Sequence, residues 1–321
     1  MLQDKNRIRC PTPYASPVQR LPRFPIRFGA FAWFLLLPAF LSAAVGGGVP
    51  ASAGDAPASR SDGLAFIDTS FENASPLWYD SAPDGTIRVH LLYDHERSSP
   101  NRAAGHIHFA LQAAPGSRLR LEFINLDNVW NGQPGSVARE LKTIVVSENG
   151  RDWRPVPTES IATNRIQLHL EMPGPRLYVA RVEPYRLSDL DQLLASLRQN
   201  PLVAVTSIGQ TVQGRSLEIV RIGHRQAPHR VVLRARAHPW EAGGNWVVEG
   251  LIESLLRVDA EAQRYLERYA VYVLPIANKD GVARGMSRFN VLGKDLNREW
   301  DKPADPQLAP ETPRSKGGWK T

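Results

Sequence analysis

A histidine and a glutamate separated by two residues, in His238-Pro239-Trp240-Glu241, follow directly on the apolar run Val231-Val-Leu-Arg-Ala-Arg-Ala237. That run predicts a strand, so the pair leaves a sheet edge just ahead of the helix expected over about 244–257, where open α/β folds hold their ligands. Imidazole and carboxylate are two of the three protein ligands of a His₂Glu zinc site, which keeps its fourth position open for water or substrate. Such a site still needs a second histidine, and none occurs from 242 to 321. Alone, the spacing describes a surface histidine near a helix-capping glutamate just as well.

The segments that follow change that weighting. After the strand expected over 271–274 come Asn278-Lys-Asp280-Gly281, then Arg284-Gly-Met-Ser-Arg288, then Gly293-Lys-Asp295-Leu-Asn297-Arg298. Asp280 and Asp295 read as turn formers, since aspartate readily bonds nearby backbone. In this order, behind Gln213-Gly214-Arg215 and the His-x-x-Glu motif, the segments resemble the zinc carboxypeptidases of the carboxypeptidase A superfamily. The likeness is closest to the cytosolic carboxypeptidase type, which carries a β-sandwich ahead of its catalytic domain and a joining segment matched here by Pro184-Tyr185-Arg186-Leu187-Ser188-Asp189-Leu190.

The resemblance implies that His238 and Glu241 bind Zn²⁺ and that Arg288 polarises the scissile carbonyl, a task suited to a permanently charged group aimed at a developing oxyanion. It also implies that Asn297 and Arg298 grip the terminal carboxylate of a peptide or protein, the planar guanidinium making two parallel charge-assisted bonds. The family's second zinc histidine, substrate-binding tyrosine and general-base glutamate lie beyond its Asn-Arg segment and find no match here. Leu308-Ala-Pro-Glu311 still follows the pattern, but Thr312-Pro-Arg-Ser-Lys-Gly-Gly-Trp-Lys-Thr321 has no helical apolar period, and its proline and paired glycines oppose a helix. A chain cut short by an early stop, a frameshift or fragmentation is the expectation, with zinc held weakly and activity weak or absent. The rival is a non-catalytic protein whose sandwich binds glycan or peptide.

The elements that must position these residues fall into two patterns. From about 61 to 185 short runs alternate with period two, as in Ile87-Arg-Val-His-Leu and Arg165-Ile-Gln-Leu-His-Leu, separated by turns such as Pro83-Asp84-Gly85. These predict strands with one buried face. His106 and His108 lie two apart and share a face; that spacing can chelate a metal, but a half-exposed sandwich face is the reading adopted. Trp78, Trp130 and Trp153 read as sandwich core, with a sugar-stacking platform as the alternative. After 185, Leu190, Leu193, Leu194 and Leu197 recur at helical spacing behind Ser188, a candidate cap, and strands alternate with helices to about 274.

The expected fold is therefore α+β in two domains, an antiparallel β-sandwich over 61–185 and an incomplete α/β/α zinc-carboxypeptidase domain over 186–321. Ahead of them, over 1–53, six basic residues and one acid precede a long apolar run ending in Ala51-Ser52-Ala53, which reads as a signal peptide or an uncleaved membrane anchor and predicts an exported protein. Outside that lead the formal charge of +7 falls to +2, so a basic nucleic-acid surface is not expected. The one cysteine, Cys10, also lies there, and disulfides play no part in the rest.

Overall fold

Alternation along the chain decides the first layer pair. In Arg165–Glu171 the buried residues Ile166, Leu168 and Leu170 alternate with Gln167, His169 and Glu171 on the outer side, so one face of the strand must be covered. The computed structural model describes residues 63–303 and 305–312; the leader read over 1–53 and the residues from 313 lie outside them. Five strands form one sheet in the order Leu64–Asp68, His108–Ala113, Arg176–Ala180, Thr143–Ser147 and Arg154–Pro157. Five more form a second, in the order Glu159–Ala162, Arg165–Glu171, Arg118–Phe123, Ile87–Leu91 and Leu77–Ser81. Phe109, Leu111, Ile144 and Val179 from the first pack on Val89, Leu121, Phe123 and Leu168 from the second in one core. The expected sandwich is present, and it is antiparallel except where Ile87–Leu91 runs parallel to Arg118–Phe123.

The parallel pair needs a long crossover, and that crossover gives Asp94–His95 and Arg102–Ala103 to a smaller sheet, which Asp127–Trp130 and Gln133–Ser136 complete after Arg118–Phe123. Its last hairpin closes through Asn131-Gly132, both at positive φ (49° and 72°), the dipeptide whose twist suits a two-residue turn.

The C-terminal half is built on the strand order Val203–Gln210, Ser216–Ile222, Tyr269–Leu274 and His229–Arg234, the last two parallel. Helices α1 (Leu187–Leu197), α2 (Gly243–Leu255) and α3 (Ala260–Arg268) bury Leu190, Leu194, Val248, Ile252 and Leu266 with Val220, Ile222, Val271 and Val273 of the sheet. Val203–Gln210 is the strand that sequence reading leaves out; its last five residues are exposed, so no apolar period marks it. Helix α1 is capped at Arg186 rather than at Ser188. The Asp189 carboxylate accepts from the Arg186 N–H at 2.7 Å, and Glu72, from the sandwich, accepts from the Leu187 and Ser188 N–H groups at 2.9 and 3.3 Å.

The composition break near 184–190 is thus not a loose linker, and the two halves meet through buried polar contacts. Ser287 Oγ accepts from the Gly105 and His106 N–H groups at 3.1 and 3.2 Å, and Asn73 Nδ2 donates to the Val282 carbonyl at 2.8 Å. Gly285 sits at φ +63°, and a Cβ there would overlap the backbone carbonyl of Ala74. Gly285→Ala is expected to cost roughly 2–3 kcal/mol, from left-handed strain plus displacement of main chain that cannot rotate away. A urea midpoint within experimental error of wild type would show that this approach is not fixed.

Candidate zinc and carboxylate site

Parallel pairing of His229–Arg234 with Tyr269–Leu274 brings both C-terminal strand ends to one edge, so the loops that follow them are neighbours. Asn278 joins them: its N–H donates to the Arg236 carbonyl at 3.0 Å, and its side-chain Nδ2 donates to Ala237 and Phe289 carbonyls at 3.3 and 3.1 Å. Arg236, at φ +54° and almost wholly buried, braces the first loop by donating to the Pro239 carbonyl at 2.6 Å and to Asn245 Oδ1 at 2.8 Å. Burial pushes its guanidinium down to about 9.

His238 is the centre of the site. Its Nδ1 lies 2.9 Å from Glu241 Oε1 and its Nε2 lies 3.1 Å from Asp295 Oδ1. Asp295, whose side chain is fully buried, also accepts from Arg288 Nε at 2.8 Å and from the Asn297 N–H at 2.8 Å. Burial alone would raise the Asp295 carboxyl, but the bonds from His238 and Asn297 and the Arg288 charge outweigh it and hold it at about 2. An ionised Asp295 accepts from Nε2–H, and in the metal-free protein Nδ1, when protonated, donates to Glu241. Burial lowers His238, yet its bonds to Asp295 and Glu241 prevail and its pKa is raised; Glu241, pushed up by burial, is lowered on balance by His238.

An imidazole nitrogen beside a carboxylate oxygen, with the other ring nitrogen anchored by a buried acid, fits the donor set of a histidine-zinc site, where the ion would take the place of the Nδ1 proton. His238 and Glu241 would hold the ion. No cluster of three or more histidine, cysteine, aspartate or glutamate side chains able to hold a metal occurs among the described residues, so the third ligand is not one of them.

Arg288 is tied down from several sides. Its N–H donates to Asp94 Oδ2 at 2.6 Å, its Nε is on Asp295, and its guanidinium lies 3.6 Å from the centre of the Trp130 ring. Its Nη2 is buried without a hydrogen-bond partner among the described residues, and burial lowers its pKa. Arg298 is exposed and lies over the same indole at 4.8 Å; Asn297 is exposed beside it. The five residues singled out in the sequence therefore lie along one connected edge, with His238, Arg288 and Asn297 joined through Asp295.

Three participants were missed. Asp295 forms the expected local turn with Asn297 but also links His238 to Arg288, and Asp94 and Trp130 arrive from the small sheet of the N-terminal half. Of the three tryptophans read as core, Trp78 is half-exposed and stacks on His90 at 3.4 Å, Trp130 lies under the two arginines, and Trp153 meets His108 edge-on at 6.0 Å. His106 and His108 are not on a half-exposed face. Both are buried, and His106 Nε2 and His108 Nδ1 bond the Asn73 carbonyl at 2.8 and 3.2 Å. Asp280, likewise read as a turn former, is a buried acceptor for Thr211 Oγ1, the Gln213 N–H and Arg215 Nη1 at 2.8, 2.8 and 2.7 Å.

The zinc carboxypeptidase family model matches residues 190–317. Over these residues the chain is similar to the zinc carboxypeptidases. Cytosolic carboxypeptidase 6 of Caenorhabditis elegans is 29% identical over 180 residues, covering 50% of this chain and 39% of that protein. Human cytosolic carboxypeptidase 1 is 36% identical over 129 residues, covering 40% of this chain and 10% of its own length. A solved metallo-carboxypeptidase of Burkholderia cenocepacia aligns with a TM-score of 0.67 and 26% identity over 78% of this chain and 65% of its own. One from Pseudomonas aeruginosa, in complex with (2-guanidinoethylmercapto)succinic acid, aligns with a TM-score of 0.66 and 27% identity over 77% of this chain and 64% of its own. The structural matches extend through both halves of this chain, and the chain spans less than two thirds of each of these relatives. Zinc is the cofactor of this carboxypeptidase family, whose members act on the C termini of peptides or proteins.

Proposed function

We propose that this chain supplies the metal-binding edge and the carboxylate-recognition surface of a metallocarboxypeptidase that releases residues from the C termini of peptides or proteins. The observation that carries this reading is His238, held through Nε2 by buried Asp295 with Nδ1 turned to Glu241, while the same carboxylate steadies Arg288. When bound, zinc supplies Lewis acidity and makes its water a nucleophile near neutral pH. The chain's own residues do the rest of the positioning. The unpartnered Nη2 of Arg288 offers a donor for charge developing on a carbonyl oxygen. Asn297 and Arg298, both exposed, offer donors for a terminal carboxylate.

With two candidate metal ligands and no group of three metal-ligating side chains among the described residues, weak zinc affinity and slow hydrolysis are proposed for these residues by themselves. The test is titration calorimetry with zinc, and with a short peptide in free-acid and amide forms, together with assay of released amino acid. Free acid should bind more tightly than amide, and Arg298→Ala should weaken only the free acid, by about 10- to 100-fold, the scale of a lost charge-assisted bond. Zinc binding should disappear in His238→Ala. Equal binding of acid and amide would sink the carboxylate reading. Free-acid binding with neither zinc uptake nor hydrolysis would select the rival, a non-catalytic peptide-binding protein.

A further inference from the structure

Arg288 and Arg298 carry like charges, and they repel one another unless something holds both. Trp130 lies under both, 3.6 Å from the Arg288 guanidinium carbon and 4.8 Å from that of Arg298, ring centre to carbon. The indole is the most favourable of the aromatic faces for a cation. It belongs to the N-terminal half, at the end of the strand Asp127–Trp130, where the Asn131-Gly132 turn and pairing of Trp130 with Gln133 set the ring's place. The same small sheet contributes Asp94, whose Oδ2 accepts from both the Arg288 and Phe289 N–H groups at 2.6 and 2.8 Å. Asp127 in turn anchors that sheet by accepting from Tyr93 Oη at 2.6 Å and from Arg102 Nη2 at 2.7 Å.

We infer that Trp130 is a positioning residue of the carboxylate site: its π face sets the separation and orientation of Arg288 and Arg298, so the small sheet of the N-terminal half completes a site whose other groups come from the C-terminal half. The inference deepens the carboxylate-binding reading proposed above and rests on it. The geometry favours it over a purely structural tryptophan, because the ring is only partly buried and both its close cationic neighbours are the two residues read as substrate-facing. Asp295 locks only the Nε end of Arg288, leaving the far end of that guanidinium to the ring. Arg298, exposed and bonded through Nη1 to its neighbour's own Asn297 carbonyl at 2.8 Å, has Trp130 as the surface that keeps it from sweeping through solvent.

The test uses the full chain with Trp130→Leu and Trp130→Phe, read two ways. In NMR spectra of arginine-labelled protein, the side-chain signals lost or shifted in Arg288→Lys and Arg298→Lys identify the two guanidinium groups. Both should carry ring-current shifts in wild type, lose them in Trp130→Leu and keep part of them in Trp130→Phe. Calorimetry with (2-guanidinoethylmercapto)succinic acid as probe should show binding weakened about 10-fold in Trp130→Leu, equivalent to 1.4 kcal/mol, with partial rescue in Trp130→Phe. In an Arg298→Ala background the Trp130→Leu loss should largely vanish, because the two substitutions remove one coupled arrangement. Unmoved arginine signals in a folded Trp130→Leu protein overturn the inference whatever the probe does. Loss of probe binding in Arg298→Ala but not in Trp130→Leu overturns it while leaving the carboxylate reading intact. Arginine signals that move, in a protein whose wild type does not bind the probe, overturn the carboxylate reading and this role with it.

Discussion

Asp295→Ala is expected to destabilise the protein by about 3–5 kcal/mol, the cost of removing one partner from a buried charged network. The Asp295 side chain is fully buried and accepts from His238 Nε2, Arg288 Nε and the Asn297 N–H. Without it a largely buried guanidinium faces no carboxylate, and the histidine loses the acceptor of its Nε2–H. Asp295→Asn keeps the shape but turns one oxygen into a donor, facing either Arg288 or His238; about 1–3 kcal/mol is expected from the donor left unsatisfied. Urea denaturation of both variants against wild type at pH 7 measures this directly. An Asp295→Ala protein within 1 kcal/mol of wild type would mean that the network is not coupled to the fold, and that Arg288 is held by Trp130 and Asp94 alone.

Acidification should weaken the fold well above the range in which carboxylates titrate. Burial pushes His106 down to about 4, and burial together with the nearby His106 pushes His108 down to about 3. Both rings are neutral donors to one carbonyl, that of Asn73. In the unfolded chain each takes up a proton near pH 6.5, whereas in the folded chain neither does, so the unfolded state binds more protons and stability falls as pH drops below about 6.5. By pH 5 the loss is on the order of 2 kcal/mol for each ring, and for His106 it levels off near pH 4. His238 works with the opposite sign: its raised pKa contributes stability that is present at low pH and lost as pH rises through the folded value, so it offsets part of the loss. The contrast with a His106→Gln/His108→Gln double variant, which retains His238, isolates the pair. Between pH 7.5 and 5 its urea midpoint should fall much less than that of wild type; parallel curves would show that the two rings are solvated and protonate freely.

His238, Glu241, Arg288, Asn297 and Arg298 stood out because each lies in a short local pattern, and parallel strands necessarily bring successive C-terminal loops to one edge. Asp295 lay within one of those patterns, yet its local turn with Asn297 hid its longer reach to His238, 57 residues away. Asp94 offered no local signal at all, since its partners are 194 and 195 residues further along the chain. Glu72 caps α1 from 115 residues upstream, which is why the helix begins before the serine that sequence chemistry would choose.

By itself the sequence determined the class and most of the elements: period-two runs such as Ile166-Leu168-Leu170 and helical leucine spacing in α1 are local demands that a strand or helix meets wherever it sits. It also determined that His106 and His108 share one face. What covers that face was a tertiary matter. The segment Asn73–Ser75 crosses it, with the Asn73 carbonyl on both rings and Ser75 Oγ on the His108 N–H, and turns a face expected to be half-open into buried core. The same holds at the site. The local patterns named the arginines, but only the docking of the small sheet against the C-terminal half put one indole beneath both, because periodicity records which side of an element is buried and not what it is buried against.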